Sequence, residues 1–257
     1  MDENKRRKSK SCENLSFAAK EAFKRLRTNL ILKLPEGDGV CRIVGITSAQ
    51  PTEGKSTIAL NLAYSLAELG RNVLLIDSDM RRPSLHEKAG IPKAPGLADL
   101  LGESNAISSA VHKYQSSKGP TSFDILPSGN IPSNPSELLT SKRMETLLRT
   151  LKTVYDYIIL DLPPVGAVID AVSISTQTDG MLVVIRENNC PAGIFRDCVA
   201  QIQEANVPIL GFVINGALEG AGKKYGYGKY GKYGKGGSSG YYGNYYGSYY
   251  GPGPNQK

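Results

Sequence analysis

Tryptophan is absent from the 257 residues, and histidine occurs only twice. The four cysteines, Cys12, Cys41, Cys190 and Cys198, form no C-x-x-C pair, so the donor spacing of a zinc site or a disulfide framework is missing. The expectation is reduced, structural thiols in a cytosolic protein. No apolar stretch approaches the roughly 18 residues that a membrane-spanning helix needs. The N-terminus is charged and lacks the apolar core of a signal peptide, so any membrane role is expected to be peripheral. Acidic residues are missing altogether from residues 222–257, where ten of the 14 Tyr, twelve of the 28 Gly and six Lys are gathered. That segment carries +6 of the formal net charge of +7 and leaves +1 for residues 1–221. The basic balance therefore belongs to the tail, and a nucleic-acid partner for the body is not expected.

What is present supports a folded body, since 40% of the chain is apolar and 21% charged. Three segments are expected: a basic flexible N-terminus (1–13), a folded domain (14–219) and a disordered tail (220–257). The first holds the run Lys5-Arg6-Arg7-Lys8-Ser9-Lys10, either a solvated tail or an electrostatic hold on acidic lipid. In the second, Phe17, Phe23, Leu26, Leu30 and Leu34 recur at helical spacing and predict an amphipathic helix over 14–34. Apolar runs at 41–47, 72–76, 157–160, 181–185 and 209–214 read as buried strands, with a further short strand at 123–126. Helical patterns at 55–69, 135–154, 170–176 and 192–205 lie between them. Such alternation predicts an α/β fold, a mainly parallel sheet covered on both faces by helices. Residues 81–119 are less regular, their clear cue being a short helix over 96–101. The tail is Gly, Tyr and Lys, too poor in aliphatic residues to pack a core.

The strongest chemical signal follows the first predicted strand. Ala49-Gln50-Pro51-Thr52-Glu53-Gly54-Lys55-Ser56-Thr57 matches the phosphate-binding loop G-x-x-x-x-G-K-[ST], except that Ala49 replaces the first Gly. In that motif successive backbone N–H groups curl around phosphates at a helix N-terminus, where the dipole also favours anions. Gly54 admits close backbone approach, Lys55 reaches the outer phosphates, and the Ser56 hydroxyl ligates Mg²⁺. Gln50, Pro51, Thr52, Glu53 and Thr57 complete the predicted nucleotide cradle.

Two further segments place carboxylates where phosphoryl chemistry uses them. Asp77 and Asp79 follow Val73-Leu74-Leu75-Ile76, and Asp161 follows Tyr157-Ile158-Ile159-Leu160. Ligands of open α/β sheets bind outside the carboxyl ends of the strands, so all three acids can face the loop. Alone, each is equally a helix cap or turn residue. Together they point to ATP and Mg²⁺, with Ser56, Asp77 and Asp161 as metal-side groups. The position five residues before the loop lysine, where dimerising partition and cell-division ATPases carry a signature Lys, is Gln50.

The P-x-E-G-K-S loop, the hydrophobic-D-x-D-x-R segment ending at Arg81, the second acidic segment and the tyrosine cluster together resemble a bacterial tyrosine kinase. The likeness is to the cytoplasmic component of the capsular and exopolysaccharide family of P-loop proteins. It implies catalytic roles for Lys55, Asp77, Asp79 and Asp161. It also implies autophosphorylation of the tail in trans, at Tyr225, Tyr227, Tyr230, Tyr233, Tyr241, Tyr242, Tyr245, Tyr246, Tyr249 and Tyr250. The implied setting is a homo-oligomeric ring in the cytoplasm, held at the inner face of the membrane by a transmembrane activator on a separate chain and opposed by a cognate tyrosine phosphatase. The family's E-x-x-R-x-x-R assembly motif reads here Glu21-x-x-Lys24-x-x-Arg27. Lys24 keeps the charge but loses the planar fork of arginine, and the competing reading of these residues is a pair within the helix. Asn215 falls where related ATPases recognise adenine.

A tyrosine hydroxyl with a pKa near 10 must be aligned and relieved of its proton, a task assigned first to Asp77. Each phosphate adds about −1.5 to −2 charges, so three or four would cancel the tail's +6. Two other classes compete. One is a partition-type P-loop ATPase switch without kinase activity. The other is a scaffold or RNA-binding module that uses Gly, Tyr and Lys as an aromatic, basic surface.

Overall fold

A computed structural model of the chain describes residues 12–34, 40–102, 106–167 and 170–217. The basic N-terminal run, residues 35–39 and the ten tail tyrosines lie outside them.

Seven strands form one sheet in the order β3-β4-β2-β5-β1-β6-β7. They are β1 (Arg42–Ser48), β2 (Val73–Asp77), β3 (His112–Gln115), β4 (Ser122–Leu126), β5 (Tyr157–Asp161), β6 (Gly180–Arg186) and β7 (Ile209–Asn215). Every pairing is parallel except that of β3 with β4. Successive side chains of the central strands go to opposite faces, as the pleat requires. Ile43, Leu74, Ile76, Ile158, Leu160, Met181 and Val183 enter one core. Val44, Ile46, Val73, Leu75, Ile159, Leu182 and Val184 enter the other. Both faces are covered, which is why these segments read as continuous apolar runs rather than alternating ones.

Helices α1 (Phe17–Lys33) and α2 (Lys55–Ala67) lie on the second core. Ser16 caps α1 by accepting from the Ala19 N–H at 3.2 Å. Leu30 and Leu34 are buried as the spacing predicts, whereas Phe17, counted in the same stripe, is 81% exposed. The first core is covered by α4 (Leu97–Gly102), α6 (Pro135–Leu139), α7 (Lys142–Leu151), α8 (Asp170–Ser175) and α9 (Ala192–Glu204). Two short helices, α3 (Leu85–Ala89) and α5 (Ile107–Ala110), are the others among the described residues.

Four differences from the sequence reading have local causes. The helix expected over 135–154 is two, because Ser141 starts α7 afresh by accepting from the Met144 N–H at 3.2 Å. Strand β3 was hidden because its burial alternates on a polar sequence, His112-Lys113-Tyr114-Gln115. Strand β7, expected to be buried, is the sheet edge, and Phe212 and Ile214 are about half exposed. Cys12 and Glu13, assigned to the flexible N-terminus, form a buried turn of 3-10 helix, Cys12–Asn14. The Glu13 carboxylate accepts from the Ser117 N–H at 2.8 Å and from the Ser117 hydroxyl, and Lys118 Nζ donates to the Glu13 carbonyl at 3.1 Å. The Ser117 hydroxyl and N–H outweigh burial and hold the Glu13 carboxyl below its ordinary value. All four thiols are free, and burial pushes them up, to about 11 for Cys41 and about 12 for the others. Weakly acidic, largely buried thiols fit the structural role expected of them.

Candidate active site

The sheet delivers the three acids to one edge. In the β2–β5 register Asp77 stands directly opposite Asp161, and in the β1–β5 register Asp161 stands opposite Ile46, two residues before β1 ends. The phosphate loop leaves β1 at this level and runs into α2, which begins at Lys55. Gly54 takes φ +97°, in the left-handed region. A Cβ there would meet the end of the Asn215 side chain, which can turn aside, so it is the backbone conformation that demands glycine.

Lys55 and the carboxylates form one buried charge cluster. Lys55 Nζ donates to Asp79 Oδ2 at 2.8 Å. Burial works against its ammonium, but Asp79, Asp161 and Asp77 outweigh that and hold it above the usual lysine range. Asp77 is fully buried and both of its oxygens are engaged. Oδ1 accepts from the Asp79 N–H at 3.2 Å, and Oδ2 from the N–H groups of Ser84 and Leu85 at 3.2 and 3.1 Å. Burial, followed by the neighbouring charges of Asp161 and Asp79, raises its carboxyl well above the ordinary value. A carboxylate so raised is a stronger proton acceptor than a solvated one.

Asp161 is different. It is fully buried, yet neither carboxylate oxygen accepts a hydrogen bond of good geometry. Burial pushes it up to about 6, and Lys55 and the nearby Ser56 hydroxyl pull it back. Buried oxygens without a partner are costly, and a ligand that satisfies them removes the cost. With Ser56 beside them they fit one side of a Mg²⁺ shell. No group of three or more His, Cys, Asp or Glu side chains able to cage a metal exists among the described residues. Mg²⁺ ordinarily uses one or two carboxylates together with substrate phosphates and water.

The remaining predicted residues divide by where their side chains go. Pro51, Thr52, Gly54 and Thr57 are at least partly exposed on the loop and the first turn of α2, with Thr52 at φ +66°. Gln50 is nearly buried, and its N–H donates to Glu53 Oε2 at 3.0 Å. Glu53 is turned fully inward as a brace: Oε1 also accepts from the Arg186 N–H at 3.5 Å, and burial raises its carboxyl. Asn215 Nδ2 donates to the Glu53 carbonyl at 2.8 Å, tying the end of β7 to the loop. The three residues of the assembly motif separate. Glu21 and Lys24 pair with each other on the surface at 2.8 Å. Arg27 donates to the Ser65 carbonyl at 2.5 Å and lies 3.8 Å from Glu68, fastening α1 to α2.

Sequence reasoning missed Ser84 and Lys88. Ser84 Oγ donates to Ser56 Oγ at 3.1 Å and accepts from Lys88 Nζ at 3.3 Å. The Pro83-Ser84-Leu85 string signals a helix start, but nothing in it aims the hydroxyl at the phosphate loop.

A family described as the AAA domain matches residues 41–207, which take in every group of this cluster except Asn215. The tyrosine-protein kinase YwqD of Bacillus subtilis (strain 168) is 35% identical over 207 residues, covering 80% of this chain and 85% of that protein. EpsB of Ralstonia solanacearum is 38% identical over 224 residues, 87% of this chain but 29% of its own length, so the chain spans less than a third of that longer relative. The solved kinase domain of Escherichia coli tyrosine kinase ETK is 32% identical with a TM-score of 0.73, over 82% of this chain and 80% of that one. Fold and site thus define a P-loop protein of the AAA-domain class. Within that class, the chain belongs to the bacterial tyrosine-protein kinases. These relatives favour the kinase reading over the ATPase switch. No helix of the described residues is long and apolar enough to cross a membrane.

Proposed function

We propose that the chain transfers the γ-phosphoryl group of ATP to protein tyrosines, its own tail first, and thereby regulates capsular or exopolysaccharide synthesis. The observation that carries this is the pairing of Lys55 with Asp79 beside a buried, unpartnered Asp161, in a chain of this family. ATP supplies the phosphoryl group, and Mg²⁺ neutralises charge on its oxygens. Lys55 exchanges its carboxylate partner for the outer phosphates, and the loop N–H groups from Thr52 to Thr57 hold the rest of the chain of phosphates, the Gln50 N–H being spent on Glu53. Ser56 and Asp161 form the metal side. Asp77 takes the proton of the incoming phenol, and its high proton affinity suits that task. Asp79 holds Lys55 ready between turnovers. Asn215, fixed to the Glu53 carbonyl, lines the place of the base.

The acceptors are the ten tail tyrosines named above, which lie outside the described residues. They are served between chains of a ring, with a transmembrane activator on a separate chain and a cognate phosphatase completing the system at the inner membrane face. A mixing experiment tests the trans step. A Lys55→Met chain carrying its tail is combined with an active chain truncated after Gly220. Label from ATP is expected on the tail of the inactive chain, with oligomer mass falling as label accumulates. Label confined to the body of the active chain would rule out transfer between chains.

Assembly is tested separately. Glu21 and Lys24 are free to re-pair across a subunit boundary, whereas Arg27 is spent on α2. Replacing Glu21 and Lys24 by Ala is expected to lower the mass seen by light scattering while leaving the melting temperature nearly unchanged, because an exposed pair contributes little. Arg27→Ala should lower the melting temperature by several degrees. A Glu21/Lys24 variant with parental mass would leave the pair as an intrahelical contact only.

A further inference from the structure

Ser84 stands at the N-cap of α3, where a serine hydroxyl ordinarily accepts a hydrogen bond from the first turn. It makes no such bond. The start of α3 is satisfied from outside, by Asp77 Oδ2, which accepts from the N–H groups of Ser84 and Leu85. The Ser84 hydroxyl is thereby released, and it donates to Ser56 Oγ at 3.1 Å. Lys88 Nζ donates to Ser84 Oγ at 3.3 Å, and an ammonium on that oxygen polarises the hydroxyl into a better donor. One backbone-anchored residue therefore touches both the proposed proton acceptor, Asp77, through its N–H and the metal-side Ser56 through its hydroxyl.

We propose that Ser84 is a positioning residue for Mg²⁺ binding: it fixes the Ser56 hydroxyl in the orientation from which its oxygen ligates the cation. With one lone pair of Ser56 occupied by Ser84, the Ser56 hydrogen is left to turn toward Asp161, whose buried oxygens lack any other donor. The second lone pair of Ser56 would then remain for the cation. Without Ser84 the hydroxyl loses that restraint and must be oriented when the cation arrives. The inference rests on the reading of Ser56 as a metal-side ligand.

The test uses the full chain and a fluorescent ADP analogue, titrated in EDTA and then across a range of MgCl₂. Ser84→Ala is expected to raise the MgCl₂ concentration needed for half-maximal tightening by about five- to tenfold, the scale of one hydrogen bond. Affinity in EDTA should stay within about twofold of the parent, and Ser84→Thr should restore the MgCl₂ midpoint. Ser84→Cys, close in size and a weak donor, should shift the midpoint like alanine, which serves if the alanine variant folds poorly by circular dichroism. An unchanged midpoint in the alanine and cysteine variants would overturn the proposal. So would an equal loss of affinity with and without MgCl₂, which marks a structural role. A parent whose ADP affinity ignores MgCl₂ would remove both this inference and the metal reading of Ser56 beneath it.

Discussion

Lys55→Met is expected to cut tail phosphorylation by at least about a hundredfold, the scale of losing one preorganised charge contact to the reacting group. It should also cost stability, which a surface lysine would not. Lys55 is a cation shared by the buried carboxylates of Asp79, Asp161 and Asp77, and methionine removes that charge from among them. Removing one partner of a buried ion pair is far more damaging than its net contribution suggests, because the other partner keeps its desolvation cost. The melting temperature of Lys55→Met should therefore fall most at pH 8 and recover toward pH 5, as carboxyls with raised proton affinity take up protons. Adding Asp79→Asn should restore stability and leave activity lost. Tail phosphorylation at the parental rate in a folded Lys55→Met protein would remove the kinase assignment from this loop.

Asp161→Asn is expected to separate stability from function in the opposite direction. Its carboxyl is pushed up to about 6 by burial, above the value near 4 of an unfolded chain. The sign follows from linkage: such a group destabilises the folded state increasingly as pH rises from about 4 to about 6, and fully above that. Without nucleotide, Asp161→Asn should therefore melt at least about 2–4 °C above the parent at pH 7.5, the shift that 1 kcal/mol produces in a domain of this size. The gap should close near pH 4. Mg²⁺-dependent phosphorylation should fall by about a hundredfold or more, because the amide keeps the shape and loses the charge. A variant less stable than the parent at pH 7.5 would mean that Asp161 holds the fold together instead of holding a ligand.

These two residues also show what could be read from sequence and what could not. Lys55 was legible from the G-K-S motif after β1. Asp77 and Asp161 were legible because each closes an apolar strand, and strand ends in a parallel sheet converge on one edge. The sheet itself was legible for the same reason: strands covered on both faces need uninterrupted aliphatic residues, as Val73-Leu74-Leu75-Ile76 shows. Strand β3 was not, since an edge strand with one face in solvent carries a sequence that passes for a loop. The inward turn of Glu53, the engagement of Arg27 with Ser65 and the bond from Ser84 to Ser56 were equally hidden. Each joins side chains to partners brought near only by tertiary packing, and local spacing carries no record of them.

The bracing of the phosphate loop has a consequence for how the chain leaves the ribosome. The loop is made early, but its supports come late: Arg186 is 133 residues downstream of Glu53, and Asn215 is 162 downstream. A nascent chain that has exposed β1, the loop and α2 has the phosphate motif without the strand ends that set its shape. The bonds that tie Glu53 to β6 and β7 are thus the last to form, and the loop reaches its braced shape only when β7 has joined the sheet.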